Sequence, residues 1–179
     1  GVFVSEQGDD DSSGTKGAPV KTLQHAIGLA AHGRGPGEPQ TRRVYACGGF
    51  WQVNGNKRSF NLAAFDPTTG ALDPHFTVQN DGDTPGCALH KGILYFGGHF
   101  NYVGVGCQHT TAPPCFVYHH VAAADVVANT VLSWNPGANS NHGIYTVRQD
   151  ATHVGFGGYQ THFGGRLQEG YATYSSTLP

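Results

Sequence analysis

Eleven histidines and four cysteines are the residues of this 179-residue chain whose types and spacing could carry chemistry. His99, His109, His119 and His120 crowd one stretch, where a strand pair would bring His99 near one of the adjacent His119 and His120. Neighbours on a strand point to opposite faces, so His119 and His120 cannot both serve one site without a bulge. His99 and His120, with Asp125 or His109 as a third ligand, would make an imidazole-rich site of the kind zinc and copper favour. The competing expectation is a set of surface or hydrogen-bonded histidines. Asp9, Asp10 and Asp11 offer hard carboxylate oxygens suited to calcium. That run lacks the Asp-x-Asp-x-Asp-Gly spacing of a dedicated loop, and a solvated turn is the favoured reading. No other cofactor is implied.

The cysteines form no Cys-x-x-Cys pair. Cys107 and Cys115 bracket a loop containing Pro113 and Pro114, which suits a local disulfide, and Cys47 and Cys87 fall in strands that could be neighbours. Four cysteines allow three pairings; the preferred one is Cys107 with Cys115 and Cys47 with Cys87, with a thiolate zinc site as the rival. Closing the shorter loop would contribute roughly 2 to 3 kcal/mol in the chain-entropy picture. Disulfides imply an oxidising compartment. The chain has no methionine and starts at Gly1, so removal of an N-terminal segment, such as a secretory signal, is expected. No run approaches the ~18 apolar residues that span a bilayer.

Nucleophilic catalysis finds no framework. There is no Gly-x-Ser-x-Gly elbow and no phosphate loop ending in Lys-Ser or Lys-Thr. Of the three glutamates, Glu6 and Glu38 lie near the N-terminus and only Glu169 lies further on, which makes a two-glutamate glycosidase site unattractive. Ten Lys and Arg against twelve Asp and Glu leave no basic stripe for a phosphate backbone, so nucleic acid is not an expected partner.

The elements that must position these residues announce themselves by repetition. Tyr45-Ala46-Cys47-Gly48-Gly49-Phe50, Tyr95-Phe96-Gly97-Gly98-His99-Phe100 and Val154-Gly155-Phe156-Gly157-Gly158-Tyr159 recur at a period of roughly 50 to 60 residues, the range of propellers and related arrays. Thirteen positions after the second glycine come Leu62-Ala63-Ala64-Phe65-Asp66 and Tyr171-Ala172-Thr173-Tyr174-Ser175. The middle copy reaches Val121-Ala122-Ala123-Ala124-Asp125 after twenty-three, so it carries a ten-residue insertion, placed at 106–115. Short apolar runs bounded by glycine or polar turns predict about four strands per copy. Glycine pairs inside strands imply close packing of one copy on the next.

The pattern aromatic-x-Gly-Gly-x-Phe, then Leu-Ala-Ala-Phe-Asp-x-x-Thr-Gly-Ala-Leu at 62–72, then Ser133-Trp134-Asn135-Pro136-Gly137-Ala138-Asn139, resembles the repeats of secreted bacterial β-propeller-like proteins over residues 43–176. The resemblance implies blades of four antiparallel strands around an axis and no particular activity. Only one complete copy is visible, near 84–135, flanked by one lacking its first strand and one lacking its last. The expected fold is therefore mainly β, with propeller-like four-stranded repeats in an incomplete ring of about two and a half blades at 41–179.

Residues 1–40 read as a strand and helix capping element with a linker. Val20, Leu23, Ala26, Ile27 and Ala30 share one face at helical spacing, predicting one short N-terminal helix after Pro19. The stretch from Gly8 to Ile27 resembles the entry segment of right-handed parallel β-helix proteins, many of which act on polysaccharides.

Three functions follow as expectations. The first is a non-catalytic extracellular structural module that self-associates into an oligomer, fibre or surface layer through incomplete sheets. The second is a glycan- or protein-binding module using Trp51, Tyr102, Trp134, Tyr145 and Tyr159, whose aromatic rings suit sugars and interfaces but also pack cores. The third is an extracellular polysaccharide-degrading enzyme.

Overall fold

The structure is a computed structural model; it describes residues 2, 5, 7–15, 17–22, 25–26, 29, 43–53, 60–107 and 115–176. The protein is mainly β, built of several small sheets. Its strands are β1 (Val44–Cys47), β2 (Leu62–Phe65), β3 (Val78–Asn80), β4 (Gly86–His90), β5 (Ile93–Gly97), β6 (Tyr102–Val105) and β7 (Phe116–Val117), followed by β8 (Val121–Asp125), β9 (Thr130–Val131), β10 (Ile144–Gln149), β11 (His153–Gly158), β12 (His162–Phe163), β13 (Arg166–Leu167) and β14 (Tyr171–Ser175). β1 and β2 form a two-stranded sheet; the other orders are β3-β6-β7, β4-β5-β8-β9, β10-β11-β14 and β12-β13. The ladders of these four are antiparallel. No closed ring is formed among the described residues.

The chain divides into two compact units, one of Gly1–Tyr45 with Ala64–Asp73 and one of Ala46–Ala63 with Pro74–Pro179. In the first, Asp10 organises the N-terminal turn: its Oδ1 accepts the Lys21 and Thr22 N–H groups at 2.9 and 2.8 Å, and its Oδ2 the Thr22 hydroxyl at 2.7 Å. Thr22 Oγ1 in turn accepts the His25 N–H at 3.2 Å, in the manner of a helix cap. His25, Ala26 and Leu29 have helical backbone, whereas Leu23, Ile27 and Ala30 lie outside the described residues, so the expected helix is not seen as an element. Val20 is not on its face: it is extended, with its carbonyl accepting the Ser5 N–H at 2.9 Å. In the same unit the Arg43 guanidinium pairs with Asp73 at 2.5 Å.

The second unit shows why the repeat exists. The hairpin β4-β5 turns through Lys91 and Gly92 at φ 47° and 83°, the left-handed pair of a two-residue connection. β8 and β9 complete a four-stranded antiparallel sheet, with Ala88, Tyr95 and Ala123 side by side in register. In the third copy β10, β11 and β14 repeat the first three strands, with Arg148, Gly155 and Thr173 at the same register. Between their second and third strands these two copies insert a small accessory pair, β6-β7 in the middle copy and β12-β13 in the third. The ten-residue insertion at 106–115 lies between β6 and β7, where the third copy needs only Gly164 and Gly165, both at positive φ.

The core lies between the middle and third sheets. Tyr95, Val121 and Ala123 meet Ile144, Val147, Val154, Phe156 and Ala172 there, with Ala88, Ile93, Trp134 and Tyr174 packed at the margin. The Tyr95 hydroxyl crosses the interface and donates to the Ser176 carbonyl at 3.0 Å. Burial alone raises the Tyr95 pKa. At full burial each such aromatic or aliphatic side chain contributes about 1.5 to 3 kcal/mol by area.

Both expected cysteine pairs are bonded. Cys47 of β1 joins Cys87 of β4, with Cα atoms 6.3 Å apart, and Cys107 joins Cys115 across the insertion, with Cα atoms 5.6 Å apart. There is no free cysteine, and hence no thiolate zinc site. Among the described residues no helix is long and apolar enough to cross a membrane.

Candidate functional site

The histidines gather where the second strand of the middle sheet hands over to the third. The His99 and His120 rings stack with centroids 6.1 Å apart, and the His119 ring centroid also lies 6.1 Å from that of His120. His120 sits at φ 67° with its N–H donating to the Phe100 carbonyl and its carbonyl accepting the Gly98 N–H, both at 3.0 Å. This kink is what lets adjacent histidines approach one cluster. His120 is buried, its Nδ1 has no hydrogen-bond partner among the described residues, and desolvation holds its pKa below the ordinary histidine value, against the opposing pull of the Gly98 carbonyl. His119 Nδ1 lies 2.9 Å from Asn101 Oδ1.

Asp125, one of the two third ligands expected for a metal, does not join them. Asp125 is at the far end of β8, four residues beyond Val121 and so about 13 Å along the strand. Its carboxylate accepts the Val127 and Ala128 N–H groups at 2.8 and 2.9 Å and builds a turn. His109 lies outside the described residues. Among the described residues no group of three or more His, Cys, Asp or Glu is placed to hold a metal ion. The aspartate run is likewise engaged in turns: Asp9 Oδ1 accepts the Asp11 N–H at 3.0 Å, and hydrogen bonds from Thr22 hold the Asp10 carboxyl below the usual carboxylate range.

The five aromatic candidates divide. Trp134 belongs to the core margin, 5.5 Å from Tyr95 and 5.7 Å from both Phe156 and Tyr174. Tyr102 is half-buried in β6. Trp51 is 72% exposed, with Phe60 at 6.5 Å. Tyr145 and Tyr159 are exposed and meet edge to face at 5.7 Å, with His142 5.5 Å from Tyr159. Only these last two come together, against a histidine.

A cavity of about 350 Å³ lies elsewhere, on the outward face of the third sheet, lined among others by Arg148, Asp150, His153, Gly155, Tyr171 and Thr173. No linear motif joins these residues, because they come from three strands. The repeat could have found them. Gly155 stands where the other copies have Ala46 and Tyr95, and Tyr171 where they have Leu62 and Val121. The exchange is coupled: a Cβ on Gly155 would lie 2.1 Å from the Tyr171 hydroxyl oxygen and 2.8 Å from its Cζ, so the ring rests on bare backbone. Asp150 at the cavity rim accepts N–H groups from Thr152 and His153 at 2.7 and 2.8 Å, which holds its carboxyl below the usual range.

Neither a protein-family profile, a characterised protein nor a solved structure matches the chain.

Proposed function

We propose that the chain is an exported, non-catalytic module of propeller-type repeats that associates with further copies of itself by adding a strand to an incomplete sheet. The single observation that carries this reading is the difference between two equivalent sheets: the strand β9 lies along the outer edge of β8, while among the described residues no strand lies beside Tyr171 and Thr173 on the outer edge of β14. Gly158 N–H donates to the Gly170 carbonyl and Ser176 N–H to the Thr152 carbonyl, so even-numbered residues of β14 face β11. The backbone groups of Tyr171 and Thr173 therefore point outward, as a template for a further strand. Two disulfides support an oxidising compartment.

The test is Thr173→Pro followed by sedimentation of both proteins over a wide concentration range. Proline removes an N–H that bonds nothing inside the sheet, and edge strands tolerate it. The wild type is expected to sediment as concentration-dependent assemblies and the variant as a folded monomer. A wild type that stays monomeric throughout, or a variant that assembles equally well, overturns the reading.

A further inference from the structure

Beyond the bulge between Ile144 and Thr146, the first three strands of the middle and third sheets share one register, and the corresponding faces differ in kind. On the middle sheet that face presents Ala88, Ile93, Tyr95, Val121 and Ala123 and packs against the third sheet. The matching positions on the third sheet are Arg148, His153, Gly155, Tyr171 and Thr173. The aliphatic positions have given way to a cation, an imidazole, a hydroxyl and a phenol, and the tyrosine has moved from Tyr95's place to Val121's. An apolar sheet packed on a face of this composition would leave Arg148 and His153 without water.

What remains is a polar cavity with an aromatic floor. Tyr171 is 57% exposed and lies over Gly155, so one part of its ring is spent on the strand and the rest faces solvent. Around it stand His153, Thr173, Asp150 and Arg148, whose Nη1 already donates to the Val147 carbonyl at 3.0 Å; together their groups donate and accept hydrogen bonds in several directions. His153 is steadied by contacts at Nδ1, 2.8 Å from Thr152 Oγ1 and 3.7 Å from Asp150 Oδ1. An aromatic surface ringed by polar groups recognises a hydroxyl-rich sugar ring through its C–H face and its hydroxyls together. We infer that the outward face of the third sheet is a carbohydrate site, which stacks one pyranose ring on Tyr171 and hydrogen-bonds its substituents through Arg148, Thr173 and His153.

The site uses the sheet's face, and strand addition uses its edge, so either stands without the other. The experiment is an amide-resolved NMR titration of the full chain with a galactose tetramer and, separately, a galacturonate tetramer, which distinguish a neutral from an acidic sugar. At least one is expected to shift amides of β10, β11 and β14 around the cavity. Tyr171→Ala should weaken that binding about tenfold, equivalent to ~1.4 kcal/mol. Arg148→Gln, at an exposed position, should weaken it with the fold intact, and by more for galacturonate. Tyr171→Phe keeps the cover on Gly155 and should retain the stacking part. No shift with either sugar, shifts centred on Tyr145 and Tyr159, or binding unchanged in Arg148→Gln overturns the assignment.

Discussion

Ile144 occupies the space that a side chain on Gly97 would need: a Cβ built there falls 2.6 Å from Ile144 Cγ2 and 3.2 Å from Val147 Cγ2. The second glycine of the pair is tighter still, because its Cβ would meet the Asp83 carbonyl oxygen and lie 2.8 Å from Thr84 Cα. Gly97 thus lies at the seam with the next copy and Gly98 against the segment leading into β4 of its own, so the two should respond differently. Gly97→Ala presses on the side chains of Ile144 and Val147, the Ile144 Cβ at 2.9 Å included, and is expected to cost about 1 to 3 kcal/mol. Gly98→Ala presses on backbone and should cost more, to the point of preventing folding. Among the described residues Gly48→Ala meets only the Phe50 ring, at 3.4 Å, and should stay within about 0.5 kcal/mol of wild type. Urea denaturation midpoints give the order.

The seam was legible because a requirement for bare backbone leaves a mark in the residue type itself. So was the strand content, since Ile93 to Phe96 or Val44 to Ala46 can satisfy their backbone only in a sheet once glycine and turn residues cut them short. The accessory pairs β6-β7 and β12-β13 were not, because two-residue strands such as Phe116–Val117 and Arg166–Leu167 are too short to show a period. The helix expectation erred at Val20, where an apolar residue at helical spacing serves a bridge to Ser5 instead. The histidine cluster was half readable: adjacency put His99 near His120, but the burial of His120 depends on a positive φ that spacing does not encode. The cavity is a long-range product of register, visible only when Gly155 and Tyr171 are compared with their counterparts.

His120 makes stability depend on pH in the range where histidine titrates. Its folded pKa is held below 6.5 chiefly by desolvation, so as pH falls from 6.5 toward that depressed value the unfolded chain takes up a proton and the folded chain does not. Stability due to this group is complete above 6.5 and is lost across that window. His120→Asn removes the titration and, because Asn accepts left-handed backbone, keeps the kink. The variant's urea midpoint should be flatter with pH than the wild type's over this window. Asp10 and Asp150, whose folded values are lowered by hydrogen bonds, act in a separate range: their contributions hold above 3.8 and disappear as pH falls through the folded values.

The two disulfides should differ in what they contribute. Cys47 and Cys87 are 40 residues apart and Cys107 and Cys115 only 8, so loop-closure entropy assigns about 4 and about 2.5 kcal/mol respectively. Replacing each pair by serine and measuring the denaturation midpoint should show the larger loss for Cys47 and Cys87, which also tie β1 to β4. Equal losses, or a larger one at Cys107 and Cys115, would mean that native-state packing around the insertion outweighs the unfolded-chain effect.

The turn after the third strand of a copy is built the same way twice. Asp66 Oδ1 accepts the Thr68 and Thr69 N–H groups at 2.8 and 2.9 Å, as Asp125 Oδ1 does from Val127 and Ala128. Four residues after each aspartate the backbone goes left-handed, at Gly70 with φ 69° and at Asn129 with φ 53°. Asp66→Ala and Asp125→Ala should each cost about 1 kcal/mol, the usual effect of losing a side-chain cap on backbone N–H groups. Asn129 carries an additional duty. Its Oδ1 accepts the Thr77 N–H at 3.0 Å and its Nδ2 donates to Thr77 Oγ1 at 2.8 Å, tying the turn to the segment leading into β3. Asn129→Gly relieves the left-handed backbone but removes both bonds, and a part-buried N–H left without its acceptor costs about 1 to 3 kcal/mol. Its net effect should therefore be destabilising, whereas Gly70→Asn should cost only a few tenths of a kcal/mol because Asn tolerates that backbone. If Asn129→Gly proved neutral or stabilising in urea titrations, the turn would be local to the middle sheet and Thr77 would have no part in holding it.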